Sequence, residues 1–215
     1  MTETLSLRAK IEQSPMGAYQ WMIVVMAAIM NLLDGFDVLA LAFTATAIRG
    51  EFGLTGIELG YLLSAGLFGM TAGSLFLAPL ADKIGRRPLL LMAVSLSAIG
   101  MLGSAFISQY QWLGFWRVIT GLGVGGILVG TNVITSEYSS RKWRSFAISV
   151  YAAGFGIGAV LGGMFAVMLQ GEYGWRSVFL AGAILTGLLL VVLFIWLPES
   201  IDFLTSKQPK NGFSR

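Results

Sequence analysis

From Trp21 to Ile48 the chain carries no charge except on Asp34 and Asp37, near the middle of the run. As an α-helix this run is ~42 Å long, more than the ~30 Å hydrocarbon core of a bilayer. A carboxylate at that depth costs several kcal/mol unless it faces protein, a partner or a water-filled cavity. Three residues apart on a helix, the two acids project on the same side. One stretch therefore specifies a membrane span and a polar path inside it.

Five more apolar runs follow. The spans are placed at 19–48, 59–80, 88–107, 112–135, 145–169 and 177–197. Only 12% of residues are charged and mean hydropathy is +0.77, where soluble domains carry about 25% charge. The expected class is all-α integral membrane, with a polar tail over 1–18, a six-helix bundle over 19–197 and a tail or linker start over 198–215. The first run is too long for a signal-peptide core and no small-residue cleavage site follows it, so no cleaved leader is expected.

Six spans put both termini on one side. Eleven Lys and Arg fall on that side: Arg8 and Lys10, then Lys83, Arg86 and Arg87, then Arg141, Lys142 and Arg144, then Lys207, Lys210 and Arg215. The opposite side has Arg49 and Arg176, and Arg117 lies within span four. The positive-inside rule makes the termini cytoplasmic, in a plasma (inner) membrane. The net charge of +3 thus follows the membrane and implies no nucleic-acid partner.

Cysteine and histidine are both absent. Disulfides and thiolate metal sites are excluded, and a proton carrier has to be Asp or Glu. No HExxH, GxSxG or phosphate-binding loop occurs, so neither an enzyme nor a cofactor is expected, only a proton gradient. Small residues repeat at four-residue spacing: Ala65, Gly69 and Gly73 in span two, Gly121 and Gly125 in span four, and Gly154, Gly158 and Gly162 in span five. Lipid supplies little hydrophobic drive between helices, so close backbone approach at such seams supplies the packing.

Two roles stand open for Asp34 and Asp37. One acid bonds a neighbouring helix and only fixes packing, or the pair loads and releases a proton as a coupled unit. Asn31, one turn earlier, has an amide that can donate toward them. Arg117 is either a snorkelling interface residue or an anion-binding one; its side chain is expected to lean outward, away from the acids. In Asp82-Lys-Ile-Gly85-Arg86-Arg87, a tight turn is expected at Gly85, with Asp82 pairing Arg86 or Arg87 or capping the next helix.

These residues carry a resemblance. Ala78-Pro-Leu-Ala-Asp82-Lys-Ile-Gly85-Arg86-Arg87 resembles the signature between spans two and three of the major facilitator superfamily, with Ala78 in place of the usual glycine. Arg117-x-x-x-Gly121-x-Gly123-x-Gly125 is similar to its span-four motif. Gly174-Trp175-Arg176 and Leu197-Pro198-Glu199-Ser200 are also typical of it. Asp34-Gly35-Phe36-Asp37 is similar to the span-one DGxD motif of aromatic acid:proton symporters.

The resemblance implies the N-terminal half, a 3+3 repeat, of a twelve-span transporter for benzoate-type acids. It assigns Asp34 and Asp37 to proton or substrate handling, where Asn31 joins them as the amide donor named above, Arg117 to coupling or charge compensation, and Asp82, Gly85, Arg86 and Arg87 to a cytoplasmic gate. Gly158-Ala159 in place of the Gly-Pro of antiporters favours symport. The implied partners are the bilayer, a small carboxylate and a second six-helix half, supplied as a separate chain or a second copy. Two other expectations stand beside this one: a truncated product without transport of its own, and an assembly module that docks through its glycine seams.

Overall fold

The computed structural model describes residues 15–206. The tail charges at Arg8, Lys10, Lys207, Lys210 and Arg215 lie outside the described residues. Within them the elements are α1 (Ala18–Phe52), α2 (Gly56–Ile84), α3 (Arg86–Ala105), α4 (Tyr110–Tyr138), α5 (Arg144–Tyr173), α6 (Trp175–Trp196) and the short α7 (Ile201–Ser206). The first six are each long and apolar enough to cross a membrane.

Several helices overrun the apolar runs that seed them. The connection drawn over 49–58 shrinks to Gly53–Thr55, and the turns drawn at 82–87 and 170–176 shrink to single residues, Gly85 and Gly174. Polar residues past the apolar run still make helical hydrogen bonds, so the helix continues until a residue stops it. Gly53, Gly85 and Gly174 do so with φ of 64°, 103° and 79°. α2 then starts on a reciprocal cap, in which Thr55 Oγ1 accepts from Glu58 N (3.3 Å) and the Glu58 carboxylate accepts from Thr55 N (2.8 Å).

Small residues decide which helices touch. α2 packs along α4, where a Cβ added at Gly69 or Gly73 would strike the carbonyls of Val118 and Leu122, and one at Gly121 or Gly125 those of Gly66 and Met70. α5 packs along α1 in the same manner, with Gly154 over Ala28, Gly158 over Leu32 and Gly162 over the Phe36 ring. The two seams relate α1–α3 to α4–α6 as a 3+3 repeat, since α2 meets α4 as α5 meets α1. Two apolar clusters fill the bundle, one around Ile23, Met30, Leu90 and Val94, the other around Phe36, Leu41, Met101 and Phe179. On α1 the Asn31–Asp37 stretch lies where one cluster gives way to the other.

At the end of the bundle around Gly85, the cap on α3 comes from far along the chain. Glu199 Oε1 accepts from the backbone N–H of Arg86 (2.7 Å), Arg87 (3.1 Å) and Ser200 (2.9 Å). Asp82, expected either to cap α3 or to pair an arginine, pairs with Arg86 at 2.6 Å. The Glu137 carboxylate accepts from Ile201 N (3.0 Å) and Ser200 Oγ, and so holds the start of α7.

Gly85 has φ 103° and ψ 161°, a region open to glycine almost alone, and the Glu199 carboxylate lies where its Cβ would be. Gly85→Ala is expected to cost about 1–3 kcal/mol. Asp82→Asn breaks a pair whose acid is 70% exposed and should cost under about 0.5 kcal/mol. Thermal unfolding of the two purified variants checks the contrast.

Candidate functional site

The site forms where α1 is crowded by α3, α4, α5 and α6. Gly35 brings α1 against α5, since an added Cβ would collide with the Phe155 carbonyl. On either side of that contact, Asp34 and Asp37 are buried, 2% and 1% exposed. They do not share one setting. Asp37 Oδ2 accepts a hydrogen bond from Ser97 Oγ on α3 (2.6 Å), while its Oδ1 has no partner. Asp34 Oδ2 also lacks a partner, but Asp34 does not line the cavity described below. Asn31 turns away from both acids: its Nδ2 donates to the Tyr151 carbonyl on α5 (2.8 Å). A nearby backbone oxygen on the α1–α5 seam outcompetes the expected donation toward the carboxyls.

Arg117 departs from the expected outward lean. It is 3% exposed, and its guanidinium bends inward along α4. Nη2 donates to Thr120 Oγ1 (2.9 Å) and Ser104 Oγ (3.0 Å) and contacts Met101 Sδ (3.1 Å), while Nη1 reaches the Asp37 carbonyl (3.4 Å). The guanidinium carbon sits 4.8 Å from the Phe179 ring centroid. A snorkelling arginine sends its head to water; this one finds its partners among the helices, so the interface alternative is set aside. The general lean of a helical side chain toward the N-terminus loses to Nη1 and Nη2 donors that find their partners only inward.

Asp37, Arg117 and Thr120 open on a cavity of about 140 Å³ between α1, α2 and α4, otherwise walled by apolar residues such as Leu62, Leu63 and Val124. Few polar groups in an apolar wall is the usual composition of a small-molecule site. Arg117 Nε is buried and lacks a partner, as do Asp34 Oδ2 and Asp37 Oδ1. Buried polar atoms are nearly always paired, so the orphans on Asp37 and Arg117, both of which line the cavity, make this wall the candidate place for a proton, water or anion. The carboxyls can take up a proton, and the guanidinium can grip a carboxylate in a two-pronged bond.

Ser97, Met101, Ser104, Thr120 and Phe179 were not anticipated as part of the site. The first three did leave a trace: Ser97, Met101 and Ser104 recur at four- and three-residue spacing and so share one face of α3. Phe179 left none, since it stands in an unbroken apolar run.

The family profile described as Major Facilitator Superfamily matches residues 27–213. A gallate transporter from Pseudomonas putida is 37% identical over 92% of this chain and 44% of its own length. The 4-hydroxybenzoate transporter PcaK from Pseudomonas putida is 36% identical over 94% of this chain and 45% of its own. A benzoate transport protein from Acinetobacter baylyi is 25% identical over 97% and 46%. The chain therefore spans less than half the length of these curated relatives. Among solved structures, the partially occluded inward-open xylose transporter XylE from E. coli superposes with a TM-score of 0.80 at 22% identity, covering 88% of this chain and 52% of that one. A bacterial homologue of the human lysosomal transporter Spinster gives 0.77 at 20% identity, over 86% and 44%.

Proposed function

Because this chain belongs to the Major Facilitator Superfamily, we propose that it forms one six-helix half of a carrier that moves small aromatic carboxylates together with protons. The observation that supports this most is the meeting of a buried acid, Asp37, and a buried arginine, Arg117, on the wall of one otherwise apolar cavity. An aromatic acid has matching parts: a ring for the Leu62 and Val124 wall and a carboxylate for the guanidinium. Relatives named for gallate, 4-hydroxybenzoate and benzoate favour the same substrate class.

The proton is assigned to the Asp34–Asp37 pair, as the chain has no histidine. Only Asp37 touches the cavity, so Asp37 is placed at the point where substrate and proton meet, and Asp34 as its neighbour along α1. α2 and α5 are the least enclosed spans, with 17% and 22% of their most apolar windows buried. Their outward faces, from Tyr61 to Phe76 and from Ile157 to Met168, are assigned to a second six-helix half, either a separate chain or a second copy. The charge bias assigns the termini to the cytoplasm of a cell with an inner membrane.

The test is accumulation of labelled 4-hydroxybenzoate by vesicles holding the chain in its two-half form, under an imposed inward proton gradient. Accumulation that collapses with an uncoupler supports symport; accumulation indifferent to the gradient contradicts it. Asp34→Asn is expected to abolish gradient-driven accumulation, and unchanged accumulation would remove Asp34 from the coupling.

A further inference from the structure

On the side of the bundle away from the substrate cavity, α3 and α6 leave a second, larger groove of about 680 Å³. Its walls are Leu91, Met92, Ser95, Leu96 and Ile99 from α3 and Leu190, Val191 and Phe194 from α6. The single hydroxyl among them is already spent, as Ser95 Oγ donates to the Leu91 carbonyl (2.7 Å). Nothing in the groove asks for a polar ligand.

Its mouth is different. Arg87, one turn before Leu91 on α3, crosses to α6, where its Nη2 donates to the carbonyl of the wall residue Phe194 (2.8 Å). Arg87 Nε is buried and has no partner. No carboxylate among the described residues pairs with its guanidinium: Glu199 Oε1 accepts from three backbone N–H groups and Asp82 pairs with Arg86.

Length fixes the kind of occupant. At ~1.5 Å per residue, the groove begins ~6 Å from Arg87 and ends ~18 Å from it at Ile99. That is close to the ~15 Å depth of one leaflet, half of a ~30 Å hydrocarbon core. Trp196, 57% exposed and two residues beyond Phe194, matches the level where aromatic residues meet the headgroups. A cation at the rim with no carboxylate partner, and a leaflet-deep apolar slot beneath it, match a phosphate carried on acyl chains.

We propose that the α3–α6 groove is a binding site for one anionic glycerophospholipid, with its phosphate on Arg87 and an acyl chain lying from Leu91 to Ile99. Basic pockets between membrane helices recognise anionic headgroups in this way. The site is independent of the substrate cavity, which opens between α1, α2 and α4.

Native mass spectrometry of the chain, released from mild detergent with equal amounts of phosphatidylglycerol and phosphatidylcholine, tests it. One cation near the surface is worth about 1 kcal/mol, so phosphatidylglycerol should be retained about 5-fold over phosphatidylcholine. Arg87→Gln should erase that preference, and Arg87→Lys should keep most of it. Met92→Trp, which fills the groove from an exposed position, should reduce retention of both lipids. Thermal unfolding of each variant identifies any loss that comes from misfolding, and Arg87→Lys with Met92→Trp still decide the matter if Arg87→Gln does not fold. Equal retention of the two lipids overturns the proposal, as does a preference that survives Arg87→Gln. Displacement of phosphatidylglycerol by glycerol 3-phosphate alone would make this a free-phosphate site and overturn it. A dimer of the chain that excludes both lipids would give the groove to a second copy, also against the proposal.

Discussion

Arg117→Gln should reduce uptake of an aromatic acid by about 30- to 4000-fold. The guanidinium joins α1, α3, α4 and α6 through Asp37, Ser104, Thr120 and the Phe179 ring, all within the bundle. Removing one member of a buried, hydrogen-bonded charge set costs about 2–5 kcal/mol, which converts to that range at 1.4 kcal/mol per tenfold. Glutamine keeps a polar tip but cannot present a fork to a carboxylate. Arg117→Lys separates charge from shape, since it retains the cation and loses the planar fork. If the fork binds the substrate, Arg117→Lys should raise the KM for uptake far more than it lowers the maximal rate. Equal uptake by the wild type and Arg117→Gln would mean that the arginine is only a packing element.

The second large effect lies on a seam. Gly158→Leu should destabilise the bundle by about 3 kcal/mol or more, at the upper end of overpacking costs. The new Cβ would run into the backbone of Leu32, which cannot rotate away as a side chain would. At roughly 2–4 °C per kcal/mol for a chain of this size, the melting temperature should fall by about 6–12 °C. Gly156→Leu is the matched control. It lies on the same helix, yet nothing stands within 4 Å of its added Cβ, and glycine in a helix interior gives way to leucine with a gain in propensity. Similar melting temperatures for the two variants would show that the α1–α5 seam does not depend on close backbone approach.

These two residues also show how far the sequence could be followed. Four-residue glycine spacing is a backbone property, carried directly by helix geometry, so which faces pack closely is visible before any coordinates. The acids at 34 and 37 are equally visible, because a charge deep in an apolar run is costly and has to be answered by packing or by function. Arg117 was visible as a residue and not as a direction. Its long side chain can run either way along α4, and the choice belongs to Ser104, Thr120 and Phe179, which reach it by tertiary packing. The same holds for Asn31, whose amide went to the Tyr151 carbonyl 120 residues away.

Helix ends were the least legible part. Glu199 caps α3 from 112 residues further along the chain, and no local pattern links them. The division of labour between the two acids was also hidden. Spacing places both on one side of α1, but Ser97 and the cavity select Asp37 alone.

The most direct test of the account follows protons and substrate together. Vesicles holding the two-half form are suspended in weakly buffered medium without any imposed gradient, and 4-hydroxybenzoate is added while external pH is recorded. The wild type should alkalinise the medium as substrate enters. Asp37→Asn should give no pH change while still exchanging labelled for unlabelled substrate across the membrane. Alkalinisation by Asp37→Asn equal to that of the wild type would contradict the placement of substrate and proton on one cavity wall.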